Sequence, residues 1–385
     1  MSGTGEESPI IRFLSPELPP LESIDRYFEL ARSAGWYSNE GPCYRLFVSR
    51  AQAFLGDDLF VVPVANCTLG LLLALRALAG RPEGVKREVV VPSFTFAATA
   101  AAIEWAGFTP VFADVDPVSW HLDPAALEQA LRERGQRVAG VLACSTFGVP
   151  PDPQVTEAWE RLTAAAGVPL LVDSAAGFGA TRRNGQRLGR QGDAEAFSFH
   201  ATKPFAVGEG GAVVTRDELL ADRIRVLTNF GFGPDRVIQG EAGLNAKLDE
   251  WHAAACLAAL DTIDEVIAAR RRHMASMRRP LERLGFVFQG GCENGTCQFV
   301  PVLASNPSVR AAVMARATDD GVELRAYFDP PLHRMNAFST CGTVGSLAVT
   351  ESLAARMISL PLANSFPPQA RERVLTALES AVIAV

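Results

Sequence analysis

"LFVVPVANCTLGLLLALRALAG" (residues 59–80) changes its period halfway along. Residues 59–65 are a continuous apolar run rich in valine, which reads as a strand buried on both faces. Residues 68–80 read as a helix, with Thr68 as the N-cap and Gly80 as the terminator. A buried strand feeding a helix is the unit of a parallel sheet.

The unit recurs outward from this point. "REVVVPS" (87–93), "TPVFADVD" (109–116), "VAGVLACS" (138–145) and "VPLLVDSA" (168–175) read as strands. Helical patterns at 99–107, 123–134 and 155–167 separate them. "AEAFSFH" (194–200) and "GAVVT" (211–215) are shorter strands flanking a glycine-rich loop. The fold class is therefore α/β, a mostly parallel sheet covered by helices on both faces. One long helical stretch, 247–285, then leads to a strand at 298–304, a helix at 307–321, an extended segment at 322–328 and a last helix near 368–383. These predict a large domain over 1–265, including an N-terminal segment at 1–35, and a smaller α/β domain over 266–385.

Composition excludes several classes. A net charge of −7 and the absence of a long basic run give no surface for nucleic acid. No apolar run reaches membrane-spanning length, and "MSGTGEESPI" (1–10) lacks the basic and apolar regions of a secretory leader. The expected location is the cytoplasm, where the seven scattered cysteines stay reduced. "CENGTC" (292–297) has no second Cys/His pair at ligand spacing, so it reads as a loop and no metal site is expected.

Ligands of open α/β sheets bind outside the carboxyl ends of the strands. Four strand ends carry candidates. "ANCTLG" (65–70) opens a helix whose first amides, with the Thr68 hydroxyl, suit an anion. Phe96 follows the end of a strand, where an aromatic ring covers a flat ligand. Asp173 ends a wholly apolar strand, and a buried carboxylate needs a partner. Lys203 follows "FSFH" (197–200), with Ser198 beside it and Gly208, Gly210 and Gly211 downstream. Only Lys86, Lys203 and Lys247 are lysine; the remaining basic residues are arginine, which cannot act as a nucleophile. A lysine to bond an aldehyde, an acid to pair with a pyridinium nitrogen, an aromatic cover, and a helix N-terminus with a serine for a phosphate are the parts that hold pyridoxal 5′-phosphate (PLP).

The chain resembles the DegT/StrS family of PLP-dependent sugar aminotransferases, of PLP fold type I, over nearly its whole length. "GWYSNEGP" (35–42), "VPSFTFAATAAAIEWAGFTPVFADVD" (91–116), "DSAAGFGA" (173–180), "GDAEAFSFHATKPFAVGEGGAVVT" (192–215), "GLNAKLDEWHAAA" (243–255) and "YFDPPLH" (327–333) carry the resemblance. It implies that Lys203 bonds the cofactor aldehyde and Asp173 pairs with the ring nitrogen. It implies that Phe96 stacks on the ring, and that Cys67, Thr68 and Ser198 contact the phosphate. Asn229 would reach the phosphate in a neighbouring subunit of a homodimer, and Lys247, Tyr327 and His333 would face substrate. The implied reaction moves an amino group from glutamate or glutamine to a nucleotide-linked keto sugar. A sugar dehydratase, a cyclitol aminotransferase and a non-catalytic binding protein on the same fold are the alternatives. In the dehydratases a histidine replaces the lysine, which is intact here.

Two positions depart from the family pattern. Asn66-Cys67-Thr68 stands where Ser-Gly-Thr is usual, and Ala176 stands where a glutamine usually approaches the ring oxygen.

Overall fold

Eight strands form one sheet and three form another in the computed structural model, which describes residues 9–238 and 240–384. Of the N-terminal stretch read as lacking a leader, residues 1–8 lie outside the described residues. The helices α1 (Leu21–Ala34) and α2 (Pro42–Leu55) come first. Alternation follows: β1 (Phe60–Val64), α3 (Cys67–Ala79), β2 (Glu88–Pro92), α4 (Ala97–Trp105), β3 (Thr109–Ala113), α5 (Pro124–Arg134), β4 (Val138–Cys144), α6 (Pro153–Ala166) and β5 (Leu170–Asp173). Next are β6 (Ala194–Ser198), β7 (Gly211–Thr215), α7 (Glu218–Thr228), α8 (Glu250–Leu260) and α9 (Ile263–Arg283). The chain closes with β8 (Val287–Phe288), β9 (Val300–Leu303), α10 (Pro307–Asp319), β10 (Gly342–Thr343), α11 (Ala348–Arg356), β11 (Met357–Leu360) and α12 (Pro368–Ile383).

The large sheet has the order β1-β7-β6-β5-β4-β2-β3-β10 and is parallel except for β7, which is antiparallel to both neighbours. The link at 199–210 forms no helix to carry the chain back across the sheet, so β7 returns alongside β6 in the opposite direction. Alternate residues face opposite sides. Val62, Val89, Val91, Leu142, Leu171 and Val213 pack with α3, α4 and α7, whereas Val61 and Val214 pack with α2 and α8. Val90, Val141 and Val172 pack with α5 and α6. Both faces are thus covered, as the apolar strands require.

Two local expectations are corrected, and one strand is added. The N-cap of α3 is Asn66, not Thr68: its side chain accepts from the Leu69 amide at 3.0 Å, so the helix starts earlier. The stretch 247–285 is two helices, broken at Asp261–Thr262. The Asp261 carboxylate is taken up by Arg26, Tyr27 and Arg50 from the first two helices, a tertiary demand that no helical periodicity records. Residues 342–343, from the last part of the chain, add an edge strand to the large sheet beside β3.

The antiparallel sheet β11-β9-β8 packs against α9, α10 and α12. Ile263 and Ile267 of α9 belong to the core under the large sheet, and Met274, Met277 and Leu281 to the core of the small one. We propose that the two units divide within α9, near residue 265. At the N-terminus of α2, the buried Glu250 carboxylate accepts from the amides of Cys43 (2.7 Å) and Tyr44 (3.1 Å). A Cβ at residue 41 would lie 2.5 Å from Glu250 Cδ, so glycine is needed in the "NEGP" segment.

Candidate active site

β5 and β6 are neighbours, with Asp173 opposite Ala196, so their carboxyl ends deliver Asp173 and Ser198 to one rim. Asp173 is only 4% exposed. Its Oδ2 accepts from the Thr99 hydroxyl at 2.7 Å and its Oδ1 from the Ala175 amide at 3.0 Å. Burial pushes its pKa above the usual carboxylate range, against the pull of these two donors and of the nearby Lys203 ammonium. The desolvation of Lys203 pushes its pKa down, and the Asp173 charge opposes that shift. The two groups therefore feel each other, yet no ion pair within 4.0 Å joins them. The Lys203 ammonium donates instead to Gln298 Oε1 at 3.3 Å.

A second buried carboxylate shows what a purely structural acid looks like here. Glu195, wholly buried, accepts from Ser174 Oγ (2.5 Å), Gln191 Nε2 (2.6 Å), the Gly189 amide (2.6 Å) and the Gln191 amide (3.2 Å). A carboxylate has about four acceptor sites. Those of Glu195 are filled, whereas Asp173 has capacity left for another donor.

The first amides of a helix have no acceptor within it. Asn66 takes the amide of Leu69, leaving those of Cys67 and Thr68 at the α3 N-terminus for an anion. Burial holds the Cys67 thiol protonated, so it brings no negative charge there. Backbone crowds this corner: a Cβ at Gly211 would lie 2.8 Å from the Cys67 nitrogen. Ser198 ends β6, and its Oγ accepts from the His200 amide at 3.3 Å. Phe96 occupies the N-cap position of α4 and is 57% exposed, unlike its buried neighbour Phe94. A flat ring with a basic nitrogen, an aldehyde and a phosphate matches this donor set: an amine and an acid share one rim without bonding, Cys67 at the free helix amides lies within reach of both charges, and an exposed aromatic caps α4.

Not every candidate converges. Asn229 ends α7 and bridges to Asn245; Lys247 bridges to Val64, and its ammonium lies 4.5 Å from the Phe230 ring centroid. These groups lie along a segment that runs beside the end of β1 and the start of α3. Tyr327 packs its ring against Phe13, Phe299 and Phe328. His333 is occupied on both ring nitrogens: Nδ1 lies 2.7 Å from Ser93 Oγ and Nε2 lies 2.7 Å from Glu351 Oε1. Its contacts tie the segment at 332–334 to the loop after β2, and neither nitrogen is left for a sugar hydroxyl.

Several residues escaped sequence reasoning. Thr99 looks like an ordinary residue in the first turn of a helix. Gln298 lies in the loop before β9; besides meeting Lys203 it donates to the Thr202 carbonyl at 3.0 Å. Thr296 donates to the carbonyl of Ala176 at 2.5 Å, which ties the segment at 296–298 to the turn after β5. Arg270 of α9 holds this segment, donating to the carbonyls of Cys297 (3.2 Å), Gln298 (3.0 Å) and Leu362 (3.4 Å) and to Asn364 Oδ1 (2.6 Å). Burial lowers its pKa to about 10, and no carboxylate pairs with it among the described residues. Arg270→Ala orphans buried carbonyls and is expected to lower the unfolding free energy by about 3 kcal/mol. Urea denaturation checks this, and an unchanged midpoint would contradict it.

The fold, the half-buried amine and buried acid at one rim, and the anion-ready helix define a PLP enzyme of the aminotransferase class. The chain belongs to the DegT/DnrJ/EryC1/StrS aminotransferase family, whose model matches residues 21–379. It is a PLP-dependent aminotransferase. Protein Rv3402c of Mycobacterium tuberculosis is 37% identical over 98% of this chain and 92% of its own length. The dTDP-3-amino-3,4,6-trideoxy-alpha-D-glucose transaminase of Micromonospora megalomicea is 32% identical over 83% of this chain and 85% of its own. The crystal structure of DesI in the presence of its TDP-sugar product superposes with a TM-score of 0.87 at 34% identity, covering 97% of this chain and 93% of that one. No helix among the described residues is long and apolar enough to cross a membrane. No group of three or more His, Cys, Asp and Glu side chains among them is placed to hold a metal ion.

Proposed function

We propose that this enzyme moves an amino group from glutamate or glutamine to the keto carbon of a nucleotide-linked deoxy sugar, with dTDP as the nucleotide. The observation that carries the site assignment is the pair of half-buried Lys203 and buried Asp173, within reach of each other's charge at one rim but not bonded to each other. The sugar assignment rests on the relatives, since the Micromonospora enzyme is a dTDP-amino-sugar transaminase and DesI was solved with a TDP-sugar product.

In this reading Lys203 would hold the cofactor covalently and Asp173 would accept from its ring nitrogen. Phe96 would cover the ring, while Cys67, Thr68 and Ser198 would hold the phosphate. When bound, PLP supplies an aldehyde to carry the amino group and an electron-poor ring to receive the electron pair left when a proton departs. Lys203, when its amine is free, would accept the proton that leaves the donor's α-carbon and then give it up again. Burial lowers its pKa, which raises the neutral fraction that can accept a proton. Gln298 Oε1 accepts one N–H of the amine and so limits its rotation. Asp173 would balance the positive charge of the ring nitrogen.

A homodimer belongs to the same reading. Trp36, Tyr37, Phe230, Phe232 and Trp251 are all more than a third exposed, an apolar surface of the kind that a second copy covers. Asn229 and Lys247 lie beside the exposed Phe230 and would complete the partner's site.

The test is incubation with PLP, glutamate or glutamine, and a panel of nucleotide-linked 3-keto and 4-keto sugars, read by product mass. Replacement of one keto oxygen by an amino group is the expected result. A loaded protein that aminates no member of the panel would remove the nucleotide-sugar assignment.

A further inference from the structure

Asp173 is backed by a single file of hydrogen-bonding groups. Thr99 Oγ1 lies 2.7 Å from Asp173 Oδ2, Thr95 Oγ1 lies 3.0 Å from Thr99 Oγ1, and Cys144 Sγ lies 3.3 Å from Thr95 Oγ1. All four side chains are buried, and both threonines are at most 1% exposed. The file assembles from three places: Thr95 precedes α4, Thr99 lies in its first turn, and Cys144 ends β4 directly opposite Asp173 in the sheet.

Counting protons fixes the first link of this chain. An ionised carboxylate only accepts. Thr99 has one hydroxyl proton and directs it at Asp173. Its oxygen is then open to the Thr95 hydroxyl, whose single proton lies within reach of both Thr99 Oγ1 and Cys144 Sγ. Burial keeps the Cys144 thiol protonated, so it brings no charge to the far end of the chain. Successive hydrogen bonds in a buried chain polarise one another.

The ionisable groups that face Asp173 are Lys203, Cys67 and Cys144. The thiols are neutral, and Lys203 makes no direct bond to the carboxylate. We infer that Thr99, backed by Thr95 and Cys144, is a positioning residue that keeps Asp173 ionised and aimed at the cofactor's ring nitrogen without a bonded cation. This rests on the reading of the site as a PLP site.

The experiment is a titration of the cofactor-free protein labelled with ¹³Cγ-aspartate, with Asp173→Asn identifying the signal of Asp173. Thr99→Val removes the donor, Thr99→Ser retains it, and Thr95→Val acts on Asp173 only through Thr99. Thr99→Val is expected to raise the Asp173 midpoint by about one pH unit or more, the worth of a hydrogen bond to a charged group. Thr99→Ser is expected to restore it, and Thr95→Val to raise it by a smaller step. PLP titration followed by visible absorbance is expected to show binding weakened about tenfold in Thr99→Val. A midpoint in Thr99→Val equal to that of the natural protein overturns the inference. Should that variant not fold, an unshifted midpoint in Thr95→Val overturns it instead. Failure of the natural protein to develop visible absorbance with PLP would count against the PLP reading and leave the titration result intact.

Discussion

Lys203→Ala protein mixed with PLP develops none of the visible absorbance of a covalently held cofactor, and its turnover falls by about 10⁴-fold or more, the upper range for loss of a proton-transferring group. The reason is local. Among the described residues that reach the rim of β5 and β6, Lys203 is the lone primary amine, and its burial raises the neutral fraction able to bond an aldehyde. The other two lysines are elsewhere: Lys86 bridges to Glu83, and Lys247 lies over Phe230. Absorbance and product formation are read on the same sample. Turnover within tenfold of the natural protein would show that the reacting amine is another group.

Asp173→Asn is expected to separate stability from function. The carboxylate is buried with two donors and no bonded cation, and burial raises its pKa. A group whose pKa rises on folding contributes stability below its unfolded pKa and loses it as pH climbs through the folded value. In cofactor-free protein at neutral pH, Asp173 is therefore destabilising, and the neutral amide of the variant removes that penalty. The new side-chain amide would donate to Thr99, whose own proton would turn to Thr95. The Tm of cofactor-free Asp173→Asn protein is expected to exceed that of the natural protein by about 2 °C at pH 7, with the gap closing toward pH 4. With PLP present the order inverts, because only the natural site binds the cofactor tightly. Turnover is expected to fall by about 10²–10³-fold, the scale for removing one preorganised electrostatic contact. Calorimetry with and without PLP checks both signs. A variant less stable than the natural protein at pH 7 without cofactor would mean that Asp173 has an ionic partner in the fold.

Much of the site was legible because sheet topology turns sequence position into spatial position. A polar residue that ends an apolar strand must lie at the rim, and Asp173 and Ser198 end adjacent strands. The N-terminus of α3 was legible for the same reason, although its cap was assigned two residues late. Phe96 was one phenylalanine among 22 until its exposure was known. His333 and Tyr327 fitted the family pattern but are engaged in internal contacts, which depend on where Ser93, Glu351 and the aromatic cluster fall. No pattern in the sequence marked Thr95, Thr99 and Cys144 as a chain, since threonines at a helix start read as local capping. Gln298 lies 95 residues from the lysine it meets, and Arg270 supports it from another helix.

Burial and periodicity act over a few residues at a time, so the α/β class, the parallel strands, the lysine and the acid could all be read along the chain. The surroundings of that pair could not. The break at Asp261, the antiparallel β7, the hydroxyl file behind Asp173 and the reach of Gln298 to Lys203 depend on segments distant in the chain arriving at one place. Hydrogen bonds are worth their full strength only where such convergence excludes water.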